Sequence, residues 1–128
     1  MRLFLAAAIS AAAALGLVGG AVGIASKSYC SASGDVCYGI STGSAGNHRL
    51  SLTLAAKYFS QYQLCVRKPT QPAACKRFRV VKTGQTWGRT VIWERTFPQH
   101  GPGIYRVTWL QRGRRLGPSL TFNLPAPA

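Results

Sequence analysis

Two carboxylates and two histidines are all the acid–base chemistry this 128-residue chain offers. Asp35 lies in Ser33-Gly34-Asp35, a turn pattern in which the side chain is expected to bond its own backbone. Glu94 lies between Trp93 and Arg95, in a run read as a strand, where a pair with a neighbouring Arg is expected. His48 and His100 sit in the loop-like stretches Gly46-Asn47-His48-Arg49 and Gln99-His100-Gly101, and both are expected to be solvated. A glycosidase needs two carboxyl groups facing each other across a sugar, which these two reach only by accident of folding. A Ser–His–acid triad needs a His beside Asp35 or Glu94 and a serine, and no serine stands in a Gly-x-Ser-x-Gly elbow. A metal site needs three or four ligands and exhausts the stock. No Gly-rich phosphate loop precedes a helix. The sequence therefore assigns no catalytic residue, no metal ligand and no cofactor, and a small hydrolase would require an activity lost on changing Asp35, Glu94, His48 or His100.

The thiols carry a clearer message. Cys30, Cys37, Cys65 and Cys75 are an even set, which in an oxidising compartment forms disulfides. Three pairings are formally possible. Cys30 with Cys37 and Cys65 with Cys75 are favoured, because each closes a short loop rich in turn formers, Ser31 to Asp35 in one and Pro69-Thr70-Gln71-Pro72 in the other. Each such loop removes about 2 to 3 kcal/mol of unfolded-state entropy in the chain-entropy model. A four-thiolate zinc site is the rival, but neither pair has knuckle spacing.

The remaining chemistry is cationic. The chain has 16 Lys and Arg against 2 acids, a net charge of +14. Lys76, Arg77 and Arg79 line one expected strand, Arg112, Arg114 and Arg115 one turn, and Arg67-Lys68 lead into the second cysteine loop. Lys76, Arg77, Arg79, Arg112, Arg114 and Arg115, with Arg106, are the candidates for an anion-binding surface, since the planar guanidinium fork matches phosphate and carboxylate. The bland alternative is that the charge follows from an Arg-rich composition and serves no dedicated ligand. Of the three tryptophans, Trp87, Trp93 and Trp109, at least two are expected in the core, Trp109 among them, and Trp87, between Thr86 and Gly88, is the one expected at the surface.

The elements that must position these residues are read from punctuation and period. Arg2 followed by the uncharged run Leu3 to Ile24, with small residues at Gly23-Ile24-Ala25, has the layout of a signal peptide cut after Ala25. An uncleaved signal anchor is the alternative, because about 20 apolar residues cross a bilayer. Lys27-Ser28-Tyr29 before Cys30 lacks the features of a lipobox. Residues 26–128 then form one domain. Period-two alternation marks strands at Arg49–Ala55, Tyr58–Val66, Cys75–Val81, Thr90–Phe97, Gly103–Leu110 and Ser119–Leu124, with Val36–Ser41 as an added edge strand. Six to seven short strands punctuated by turns point to an all-β, antiparallel sandwich, and about 100 residues suffice for one core.

The segment Pro102-Gly103-Ile104-Tyr105-Arg106-Val107-Thr108-Trp109, followed by Gly117-Pro118-Ser119-Leu120-Thr121-Phe122, resembles the last two strands of an immunoglobulin-like or fibronectin type III-like domain. In that family a Gly-x-Tyr-x-Val segment opens the penultimate strand and its Tyr caps a corner. The resemblance covers the final third of the chain and departs from antibody-type domains in lacking a Cys on that strand. It implies a fold and leaves function open.

The expectation is an exported, non-enzymatic interaction or structural module, monomeric, that engages an anionic envelope polymer, a membrane surface or an acidic protein. Nucleic acid would adhere by counterion release, without a dedicated role in an exported protein. The alternative is a secreted inhibitor or effector that grips another protein through its stapled Cys65–Cys75 loop.

Overall fold

The computed structural model describes residues 26–127, so the expected signal segment lies outside the described residues. Ten strands and one helical turn follow in order: β1 (Ser26–Cys30), β2 (Val36–Thr42), β3 (His48–Leu54), β4 (Gln61–Arg67), β5 (Ala74–Arg79), β6 (Val81–Thr83), β7 (Thr86–Ile92), α1 (Trp93–Thr96), β8 (Gly103–Gln111), β9 (Arg114–Arg115) and β10 (Leu120–Leu124). They form two antiparallel sheets. The first runs β1-β2-β3-β7-β6, and the second runs β8-β4-β5, with β9 and β10 pairing along the other edge of β8.

Alternation builds both sheets, because successive side chains of a strand point to opposite faces. On β3, Leu50, Leu52 and Leu54 are buried while Arg49 and Thr53 are exposed. On β4, Tyr62, Leu64 and Val66 point inward, and on β8 Tyr105, Val107 and Trp109 do so. These rows meet between the sheets around Trp93 and Trp109, both fully buried. Trp109 stacks on Tyr38 with ring centroids 4.3 Å apart, and Trp93 packs edge-on to Phe122 at 5.0 Å.

Both disulfides, Cys30–Cys37 and Cys65–Cys75, have the expected pairing. Each joins residues directly opposite in register, one across β1 and β2, the other across β4 and β5. The Cα separations of 4.1 and 4.0 Å suit the closer type of antiparallel pair. No helix of the described residues is long and apolar enough to cross a membrane.

Four local expectations change. Val36–Thr42 is an interior strand, because β1 covers its outer side. The run expected as a strand over Thr90–Phe97 starts earlier, at Thr86, and stops at Ile92, after which Trp93–Thr96 makes one helical turn. Trp93 and Phe97 are both buried four residues apart, a spacing that a helical turn satisfies and an alternating strand reaches only with a third inward residue between them. Phe97 N–H donates to the Trp93 carbonyl at 3.0 Å and Thr96 Oγ1 to the Ile92 carbonyl at 2.8 Å. Finally, β4 begins at Gln61 rather than Tyr58, and Val80 breaks the expected Cys75–Val81 strand into β5 and β6, which belong to different sheets.

Candidate anion-binding site

Register places the basic residues. On β5, Arg77 stands opposite Gln63 and Arg79 opposite Gln61 of β4. On the other side of β4, Arg67 stands opposite Arg106 of β8. All four arginines are exposed and share the outer face of the second sheet, whose inner face carries Tyr62, Leu64 and Val66. Across β8, Arg106 stands opposite Thr121, whose Oγ1 accepts a hydrogen bond of 3.0 Å from Lys27 Nζ. Arg67, Arg106 and Lys27 thus continue one cationic row from the second sheet to the edge of the first. Like charges directly opposite each other are destabilising in a sheet, and among the described residues no Lys or Arg lies within ion-pair distance of a carboxylate.

The other candidates scatter. Lys76 is exposed but registers with the inward Leu64, on the Phe78 side of β5 and away from Arg77 and Arg79. Arg114 and Arg115 form β9, opposite Gln111 and Leu110. Arg112 occupies the turn between β8 and β9 with a left-handed φ of 53°, followed by Gly113 at 75°. Trp87 is half-buried, with Lys57 Nζ 5.1 Å from its ring centroid, so it presents no free stacking platform.

The groove at the end of the second sheet brings together two of the sequence candidates, Arg77 and Arg112, with residues that sequence reasoning did not single out. It has a volume of about 660 Å³ and is walled by Tyr58 before β4, by Gln61, Gln63 and Arg77 on the sheet, and by Gln111 and Arg112 at the β8–β9 turn. Tyr58 is 53% exposed. Its phenol pKa is raised, first by desolvation and then by the Asp35 carboxylate beside it. Asp35 therefore faces Tyr58, where a bond to its own backbone was expected; the backbone of that turn is held instead by the Ser33 hydroxyl, which accepts from Asp35 N–H at 3.3 Å.

No protein family, characterised protein or solved structure matches the chain. The site is therefore read from its own chemistry.

That chemistry includes one acid–base pair, at the opposite end of the interior. His48 is buried where solvation was expected, and Glu94 pairs with it rather than with an Arg. The carboxylate takes two bonds, from His48 backbone N–H to Oε1 at 2.8 Å and between His48 Nδ1 and Oε2 at 2.7 Å. The imidazole lies on Phe122 with centroids 4.4 Å apart. A carboxylate on one imidazole nitrogen is how a general base is oriented, but such a base also needs a nucleophile on the other nitrogen. Among the described residues no hydroxyl or thiol is hydrogen-bonded to His48. The pair lies 46 residues apart in sequence and pins α1 to the start of β3. His100 is exposed as expected, and its N–H donates to Tyr105 Oη at 2.9 Å while that hydroxyl donates to the Gly101 carbonyl at 2.6 Å.

Proposed function

We propose that this chain is a secreted, immunoglobulin-like, non-enzymatic module that binds anionic polymers outside the cytoplasm through the outer face of its second sheet. The fold part of the reading is supported by the order of the strands, in which β2-β3-β7-β6 oppose β10-β8-β4-β5, the pairing pattern of a seven-stranded sandwich with one added strand in the second sheet. It is supported too by Tyr105, whose hydroxyl ties back to residues 100 and 101 just ahead of its strand. Two disulfides in so short a chain favour an oxidising compartment, and the apolar run after Arg2 favours export.

One observation carries the binding reading: Arg67, Arg77, Arg79 and Arg106 share one face without a carboxylate among them. Such a surface has an unspent attraction for phosphate, sulfate or carboxylate. The test is retention of the oxidised protein on immobilised polyuronate and polyphosphate from low to high salt. Retention that collapses with salt and disappears on Arg67→Glu with Arg106→Glu is the expected result; no retention at low salt sinks the reading. The alternative, a protein-binding effector, draws on the β4–β5 loop, where Pro69, Thr70, Pro72 and Ala73 are exposed beyond the Cys65–Cys75 staple. Binding through that loop would weaken only slightly with salt.

A further inference from the structure

We propose that the groove between Tyr58 and Arg112 is a subsite for an acidic polysaccharide, taking a sugar ring against Tyr58 and acid groups on Arg77 and Arg112. The inference rests on the reading of the chain as a binder of anionic polymers and names the ligand's chemistry. Four observations converge on it. Arg112 is the single non-glycine residue among those described with a positive φ. It occupies the first place of a two-residue hairpin turn that Asn or Gly fills without steric cost, so the chain sets a guanidinium at the groove mouth against local preference. Arg77 enters from the other side: it stands opposite Gln63, which stands opposite Leu110, the neighbour of Gln111. The two cationic residues are thus anchored two strand spacings across and two residues along, or ~12 Å, apart.

Between them lie the amides of Gln61, Gln63 and Gln111, each with donors and an acceptor suited to sugar hydroxyls. Tyr58 adds an exposed ring, its phenol beside Asp35. A bare phosphate or a lipid headgroup would use the arginines and leave the amides and the ring idle. Single-stranded nucleic acid would want successive exposed rings for successive bases; Tyr58 is exposed in the groove, whereas Phe59 beside it is half-buried and packed against the core. A hydroxylated, acid-bearing sugar uses the arginines, the amides and the ring, and leaves the Asp35 carboxylate to the phenol.

The experiment is calorimetric titration of the oxidised full chain at low salt with an oligogalacturonate, its methyl-esterified neutral form and a polyphosphate of matched length. The native protein is compared with Tyr58→Ala, Arg77→Gln and Arg112→Asn, all changes at exposed positions, and with Arg67→Glu/Arg106→Glu. The expected result is oligogalacturonate binding that weakens about tenfold in each groove variant, with the neutral oligomer weaker still and polyphosphate indifferent to Tyr58→Ala. Oligogalacturonate binding unchanged in the groove variants but lost in Arg67→Glu/Arg106→Glu overturns the subsite and leaves the charged face standing. Polyphosphate that binds as tightly and depends equally on Tyr58 overturns the choice of a sugar. Failure of both polyanions to bind overturns the wider reading as well.

Discussion

The two sheets bury the same kind of side chain and show opposite chemistry to the outside. On the first, the outward positions in register are Ser41 with Arg49, Ser51 with Thr90, and Arg49 with Ile92, with Gly39 and Gly88 beside Ser51 and Thr53. That face carries small and hydroxylated residues, the aliphatic Ile92 and Val81, and one arginine. On the second, the outward positions are Gln61 with Arg79, Gln63 with Arg77, and Arg67 with Arg106. A basic composition alone would spread arginine over both. Arg89 of the first sheet stands on the row of the inward Leu52, so the concentration of arginine on one outer face, including two arginines directly opposite each other, ties the charge to a position rather than to an average.

The contrast can be broken most severely by charge reversal. Arg67→Glu with Arg106→Glu is expected to lower affinity for a polyanion about a hundredfold, while Arg49→Glu on the first sheet changes it less than about threefold; equal losses would return the charge to composition. The staples give the next largest effect. Replacing Cys65 and Cys75 by Ser should cost about 2 to 3 kcal/mol in chemical denaturation, with a similar cost for the Cys30 and Cys37 pair.

The tyrosines sharpen the comparison from inside. Tyr38 of the first sheet and Tyr62 of the second both have phenols pushed up from 10.0 to about 12, chiefly by burial; Tyr29 adds to the first shift, whereas Arg115 opposes it and Arg89 opposes the second. The fold favours the neutral phenol. Its contribution is therefore whole below pH 10 and is lost as the pH climbs through the folded value near 12. A denaturation midpoint that stays flat from pH 9 to 12 would contradict this; the range follows from the two shifts. Tyr38 Oη donates to the Pro118 carbonyl at 2.5 Å, whereas Tyr62 Oη is buried without a partner. Tyr38→Phe should then cost about 1 kcal/mol, and Tyr62→Phe should be neutral or stabilising. The smallest effect is local: Arg112→Asn should raise stability by a few tenths of a kcal/mol up to about 1, because Asn tolerates the left-handed region.

Much of the fold was legible where period and punctuation agree. Leu50, Leu52 and Leu54 alternate cleanly, Tyr105, Val107 and Trp109 likewise, and turn formers lie between the cysteines of each pair. The β1 strand was hidden because Ser26-Lys27-Ser28-Tyr29-Cys30 follows an apolar run and has no alternation of its own. The turn at Trp93 was hidden because four residues are too few to display a helical period. The candidate face was legible in part: alternation gave Arg77, Arg79 and Arg106 their outward direction, but that Arg67 joins them depends on β4 pairing with β8. The His48–Glu94 pair and the glutamines of the groove left no local signal, since each depends on chain segments that only folding brings together.

Both covalent staples lie inside hairpins, closing loops with sequence separations of 7 and 10. Neither shortens the search for the pairings that make the sandwich, in which Leu50 must find Val91 and Leu64 must find Trp109. Those contacts span more than forty residues, and closing such loops is what slows β-sandwiches. Oxidation should therefore hold each hairpin without hurrying the assembly of one sheet on the other. In the transition state for folding, the rate should answer to the rows around Trp109 and scarcely to the thiols.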